Sequence, residues 1–162
     1  MKDYSLIYGE SYIMGNGFCH SFEFQFDKMY QGCLSRTNYQ GVGISYVSGE
    51  NFQSFGVKGM YNPFWSKLVT RKFTLHPYLY LQTNLVREKE TFANDLNNVT
   101  PGIGLTGAWR IGKHINIRPQ LQIGYRVNEK FLENGKGFTA DLRIGIGINK
   151  LILRKRENRY KN

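Results

Sequence analysis

The sequence predicts an all-β chain: a closed, up-and-down antiparallel barrel of about eight strands. Three observations predict it. Apolar and polar residues alternate with period two almost from end to end. Eleven Tyr, eleven Phe and 18 Gly stand against 4 Pro, a balance that favours strands and turns over helices. The alternating runs number eight, and an even set of antiparallel strands closes on itself and loses its edges. At 162 residues the chain is long enough for one domain.

The first strand, 4–13, has the weakest pattern, with Leu6, Tyr8 and Tyr12 on one parity. Gly15-Asn16-Gly17 tolerates the positive φ of a hairpin turn. The second strand, 17–27, alternates Phe18, Phe22, Phe24 and Phe26 with Ser21, Glu23, Gln25 and Asp27. A loop is expected over 28–38. The third strand, 39–48, sets Val42, Ile44 and Tyr46 against Gly41, Gly43 and Ser45, and a short turn over 48–51 leads to the fourth, 52–62, with Phe55, Val57 and Tyr61. The segment NPFWSKLVTR, residues 62–71, connects onward, with room for a helical turn after Pro63. The fifth strand, 72–86, opposes Phe73, Leu75, Leu79, Leu81 and Leu85 to Thr74, His76, Tyr78, Tyr80 and Gln82. A polar loop is expected over 87–98.

The stretch GIGLTGAWRIGKHINIRPQLQIGYRV, from residue 102, then reads as strands six and seven joined at Gly112-Lys113. After a loop over 128–137, the eighth strand, 138–150, alternates Leu142, Ile144, Ile146 and Ile148 with Asp141, Arg143, Gly145 and Gly147. Residues 1–153 form the expected barrel domain, and 154–162 are a basic tail expected to be disordered.

Alternation alone leaves open which face is inside. The strand polar positions are Gly, Ser, Thr, Asn, Gln, Tyr and Arg, while Lys and Glu gather in loops at Glu88, Lys89, Glu90, Glu129, Lys130, Glu133 and Lys136. A water-exposed sheet face normally carries the latter kind. Arg suits enclosed, multiply bonded ion networks. A lumen network of Glu23, Lys58, His76, Arg110, Arg118, Arg126, Asp141 and Arg143 is therefore expected, with Glu10 as a further anion. Eight strands enclose a bore that side chains just fill, and Gly102, Gly104, Gly124, Gly145 and Gly147 on the polar parity leave room for Arg and Tyr from opposite walls. Strands five to eight run to about 13 residues, beyond the ~9–11 that cross hydrocarbon at barrel tilt. Phe18, Tyr46, Trp109, Tyr125 and Phe138 fall toward strand ends, as membrane-interface aromatics do. The reading is a transmembrane-type barrel, apolar outside and polar within.

The bulk numbers are compatible with this. Net charge is +10 and mean hydropathy is −0.45. No apolar run approaches the ~20 residues of a spanning helix, a test blind to barrels because only alternate residues meet lipid. Cys19 and Cys33 make no disulfide framework, though one bond between them is open. No Cys/His spacing suits a metal, and no cofactor is expected. MKDYSLIYGE lacks a basic then apolar leader, so export would mean that the signal peptide is removed.

With its eight alternating runs, its "GIGL" and "LRIGIGI" strands and its short Ile-Gly-Lys-His turn, the chain resembles the small outer-membrane β-barrel proteins of the OmpA/OmpX type over residues 4–150. Two features depart from them: a basic tail follows Leu153 where members often end on an aromatic, and the turns after strands one and three are short. The resemblance implies a bacterial outer-membrane location with outer-membrane lipid around the barrel. It also implies a structural or adhesive role, or one as accessory subunit of a larger outer-membrane complex, and no enzymatic activity. Two alternatives stand beside it: a soluble calycin-like barrel with an apolar cavity for a lipid, and a lipid-modifying outer-membrane enzyme.

For the enzyme, His20 and Ser21 are adjacent and so point to opposite faces, which denies them hydrogen-bond reach. His76 shares its parity with Tyr78 and Tyr80 and reads as a hydrogen-bonding filler of the lumen rather than an acid or base. The tail RKRENRYK has the charge to meet anionic headgroups or nucleic acid, but no nucleic-acid motif accompanies it and no nucleic-acid partner is expected. GIGL and GIGIN lack the Lys-Ser/Thr and helix of a phosphate loop.

Overall fold

The computed structural model describes residues 2–13, 17–31, 37–50, 52–62, 73–88, 94–111, 114–127 and 137–149. They form eight strands: β1 (Lys2–Ile13), β2 (Gly17–Gln31), β3 (Thr37–Ser48), β4 (Phe52–Tyr61), β5 (Phe73–Glu88), β6 (Asn94–Arg110), β7 (Ile115–Arg126) and β8 (Gly137–Asn149). Each pairs antiparallel with the next, and β1 pairs with β8 from Asp3↔Asn149 to Ile13↔Thr139, closing the barrel. Closure leaves no row of unpaired backbone groups at an edge, the condition for a sheet to stand in hydrocarbon. The β1–β2, β3–β4, β5–β6 and β7–β8 connections share one end of the barrel, the loop end. The termini and the remaining connections share the other, the terminal end.

Two expected loops turn out to be largely ladder. β2 continues to Gln31 and β3 begins at Thr37, so Lys28–Gln31 pair with Gln40–Thr37 inside the segment expected to loop over 28–38. β6 begins at Asn94, and Arg87 pairs with Asn94 within the loop expected over 87–98. Backbone donors and acceptors gain by pairing whatever their side chains, so the ladder outruns the apolar alternation from which the strand ends were read. The extension carries a register shift between Asn84 and Leu85, a β-bulge that admits one extra residue on β6. The hairpin residues Gly15 and Asn16, the segment after Pro63, the Gly112-Lys113 turn, residues 128–136, Cys33 and the basic tail lie outside the described residues. Gly17 opens β2 at φ 72°, the left-handed geometry expected of that hairpin.

Burial alternates strictly along β4 and β7. The outer face is apolar: Leu6, Phe24, Ile44, Val57, Leu81, Ile103, Ile123, Leu142, Ile144 and Ile146 are all exposed. The inner face is polar, with Gln25, Asp27, Lys58, Arg118, Gln120 and Gln122 at 0–1% exposure. This overturns the calycin-like alternative, which needs an apolar lining. The in-strand prolines Pro77, Pro101 and Pro119 are on the outer face. Opposite Pro119, which lacks a donor, the β6–β7 pairing lapses between Thr106↔Gln120 and Trp109↔Ile117.

Inward glycines answer large side chains. A Cβ at Gly102 or Gly124 would strike Tyr80, one at Gly104 the Tyr78 ring, one at Gly9 Arg143, and one at Gly43 the Glu23 carboxylate. Gly59 is the contrary case: it faces outward, and a Cβ there would meet nothing within 4 Å. Gly104→Val is therefore expected to lower stability by roughly 1–3 kcal/mol through overpacking, while Gly59→Ala leaves it unchanged or slightly raised. Urea unfolding midpoints of the two variants in one detergent check the contrast.

Candidate functional site

The lumen is the site that the sequence singles out, and its side chains form three tiers. At the terminal end, Arg118 of β7 ion-pairs with Asp27 of β2 and reaches the Ser5 hydroxyl at 3.3 Å. Gln25 donates to Asp27 at 2.6 Å and accepts from Gln120 at 3.3 Å. His76 is buried in the lumen wall at 1% exposure, with Arg118 as its charged neighbour.

In the middle tier the Glu23 carboxylate binds Lys58 Nζ at 2.7 Å and also ion-pairs with Arg143. Arg143 in turn holds Asp141 at 2.7 Å. The Gln122 amide completes the set: its oxygen accepts from Lys58 Nζ and from the Tyr78 hydroxyl, each at 2.5 Å, and its nitrogen donates to Asp141 at 3.1 Å. Lys58 also lies 5.8 Å from the centre of the Tyr80 ring. Five strands, β2, β4, β5, β7 and β8, thus meet across the bore. Charges so enclosed persist only when paired and hydrogen-bonded on every side, and here each anion has at least one cation.

The loop-end tier is looser. Gln82 bridges Ser45 at 3.1 Å and Asn84 at 2.7 Å. Arg126, Thr100, Thr139 and Ser11 lie around a small cavity, while Cys19 packs against Val47 and Phe52.

Seven of the eight side chains expected in the lumen are there: Glu23, Lys58, His76, Arg118, Arg126, Asp141 and Arg143 are buried. Arg110 is a correction. It is exposed at the last position of β6, in the final rung opposite Asn116, at the rim where inward parity no longer leads into the bore. Glu10 is a second correction: it lies on the outer face of β1, in phase with Tyr8 and Tyr12. Asp27, Gln25, Gln122 and Tyr78 were not expected as network members. Asp27 and Gln25 carry a signal in the sequence, since they continue the parity of Glu23.

Of the expected interface aromatics, Phe18, Tyr46, Tyr125 and Phe138 lie toward the loop end, with Phe18 against Tyr12, Tyr46 against Phe55, and Tyr125 against Phe138 at ring separations of 5.3, 4.8 and 5.6 Å. Trp109 lies at the terminal end, beside Phe73 in register. Tyr4 and Phe26, 5.1 Å apart, belong to the same end.

On the outer wall His20 sits in register between Glu10 and Ser48. Its ring Nδ1 is hydrogen-bonded to the Tyr8 hydroxyl at 3.2 Å. Ser21 points inward and donates to the Gly9 carbonyl at 3.1 Å. The His20–Ser21 pair is thus split across the wall. Among the described residues no group of three or more His, Cys, Asp or Glu is placed to hold a metal.

No family model and no curated protein sequence matches the chain. Solved structures do. The chain is similar to Neisserial surface protein A at 6% identity and TM-score 0.61, over 91% of this chain and 94% of that one. It is similar to Ail, the attachment invasion locus protein of Yersinia pestis, at 10% identity and TM-score 0.54, over 91% and 97%. It is also similar to the outer membrane enzyme PagL at 13% identity and TM-score 0.51, over 91% and 99%. At these identities the likeness is one of fold: the chain has the fold of the small eight-stranded outer-membrane β-barrels.

Because Glu23 ion-pairs with both Lys58 and Arg143, Glu23→Gln is expected to cost about 3–5 kcal/mol, the usual penalty for stranding a buried charge. Adding Lys58→Met should recover part of the loss, and exposed Arg110→Gln should stay within about 0.5 kcal/mol of the parent. Urea unfolding of the four proteins in detergent micelles measures all three differences. Equal stability of Glu23→Gln and the parent would remove Glu23 from the centre of the network.

Proposed function

We propose that the chain is a small integral outer-membrane barrel with a shut lumen, acting as a structural element or as an accessory subunit beside a larger outer-membrane complex. One observation carries this: the distribution of polarity is inverted, with a continuous apolar coat outside and ion pairs within. Soluble monomers seldom expose an apolar patch beyond a few hundred Å², whereas here every one of the eight strands exposes large apolar side chains. The dimensions agree. The shortest strand has 10 residues, which at ~3.3 Å per residue and ~45° tilt rises about 23 Å, close to the ~25 Å apolar band of outer-membrane barrels. The aromatics at both ends would mark the two lipid boundaries, and Glu10 and His20, near the loop end, would sit by the headgroups.

The plugged bore supports a structural role over a channel, because Glu23, Lys58, Tyr78, Gln122 and Arg143 seal the middle tier at 0–3% exposure. The β1–β2 and β3–β4 connections are too short to project far from the barrel, which weighs against an adhesive role at those two hairpins.

Extraction of the protein only with detergent, together with heat-modifiable migration on gels, is the expected result. In planar bilayers its conductance should stay at background. A stable monomer in plain buffer would overturn the membrane reading, and steady conductance well above background would overturn the shut lumen.

A further inference from the structure

The tiers of the lumen are not equally complete. Arg118, Asp27, Gln25 and Gln120 at the terminal end and Glu23, Lys58 and Gln122 in the middle lie at 0–1% exposure, whereas Asn84, Gln82, Thr139 and Arg126 of the loop-end tier, and Asp141 beside them, retain 5–7%. They border a cavity of about 20 Å³, enough for one or two water-sized occupants. Three polar atoms on residues lining it are buried and have no hydrogen-bond partner: Arg126 Nε, Arg143 Nε and Ser11 Oγ. Two of them are cationic N–H donors, and the hydroxyl is able to donate. Leaving such groups unmatched is costly, and the kind of occupant that would answer donors of this sort is an acceptor.

Charge points the same way. The buried described residues hold the cations Lys58, Arg118, Arg126 and Arg143 against the anions Glu23, Asp27 and Asp141. Lys58, Arg118 and Arg143 are each ion-paired. Arg126 is 6% exposed and has no ion pair among the described residues. The one carboxylate on the cavity, Asp141, is already held by Arg143 and by the Gln122 amide. The buried described residues therefore hold one cation more than anions, with Asp141 attracting both Arg143 and Arg126.

We propose that this loop-end cavity binds one small inorganic anion of halide size, held by Arg126 with help from Arg143 and Ser11. Hydroxyls of Ser54, Thr100 and Thr139 and the amides of Gln82 and Asn84 line the same space, so the ion would exchange its hydration shell for protein dipoles. The bound anion would neutralise the last lumen cation and so complete the plug from the loop side.

The test uses the folded, detergent-solubilised barrel with chloride as the probe, read by the excess line width of the chloride NMR signal. The wild type should broaden the line saturably, nitrate should displace chloride, and bulky gluconate should not. Arg126→Gln should remove at least about half of the excess, Arg126→Lys should retain most of it because the charge stays, and Ser11→Ala should weaken binding by about 2-fold or more through one lost donor. Heat-modifiable migration confirms folding of each variant, and Ser11→Ala, which deletes only a hydroxyl, carries the test if Arg126→Gln does not fold. Absence of saturable broadening in the wild type, or full broadening in folded Arg126→Gln, would overturn the proposal. Neither result bears on whether the barrel spans a membrane, so the two readings fail independently.

Discussion

Glu23 is the point at which this barrel is tied together. Its carboxylate on β2 takes Lys58 from β4 and Arg143 from β8, and through Arg143 and Gln122 the set extends to Asp141, Tyr78 and β7. An eight-stranded wall with an apolar exterior gains little from burying hydrocarbon inside, because its apolar side chains already face outward. What remains to decide between one closed arrangement and many is the interior, where polar groups removed from water are stabilised only by finding one another. A single carboxylate shared by two cations from opposite walls fixes the relation of β2, β4 and β8 at once.

That bridge needs space, and the glycines supply it. Arg143 crosses in front of Gly9, the Glu23 carboxylate lies against Gly43, and the Tyr78 and Tyr80 rings lie against Gly104 and against Gly102 and Gly124. A bore of eight strands cannot hold a large residue at every inward position. Each long side chain therefore faces a bare stretch of the opposite or adjacent wall. Steric and electrostatic requirements coincide here, since the residues that need the gaps are the ones that form the network.

Much of this was legible in the chain. The Phe18-Phe22-Phe24-Phe26 and Leu142-Ile144-Ile146-Ile148 ladders announced strands of one parity, and the choice of Gly, Gln and Arg over Lys and Glu on the other parity announced an enclosed face. Strand ends were less legible. Asn94–Asn98 and Lys28–Gln31 carry loop-like side chains yet pair by their backbones, and backbone pairing leaves no mark on polarity. Arg110 and Glu10 mislead for related reasons. Arg110 has inward parity but lies where the wall stops, and Glu10 is a charge on the face that it shares with Tyr4, Leu6, Tyr8 and Tyr12.

The sequence by itself determined that alternation runs through eight strands, that their number permits closure, and which parity is polar, because these are local properties with a period of two residues. Only the tertiary structure decided the partners. Glu23 meets Lys58 across 35 positions and Arg143 across 120, and Arg118 finds Asp27 across 91. Such pairs depend on the stagger of every ladder between them and on the closure of β1 against β8. A change of register in one ladder would regroup the lumen while leaving the sequence pattern of each strand untouched. The same reason explains why Arg126, alike in sequence to the other lumen arginines, is the one that the closed barrel leaves without an ion pair among the described residues.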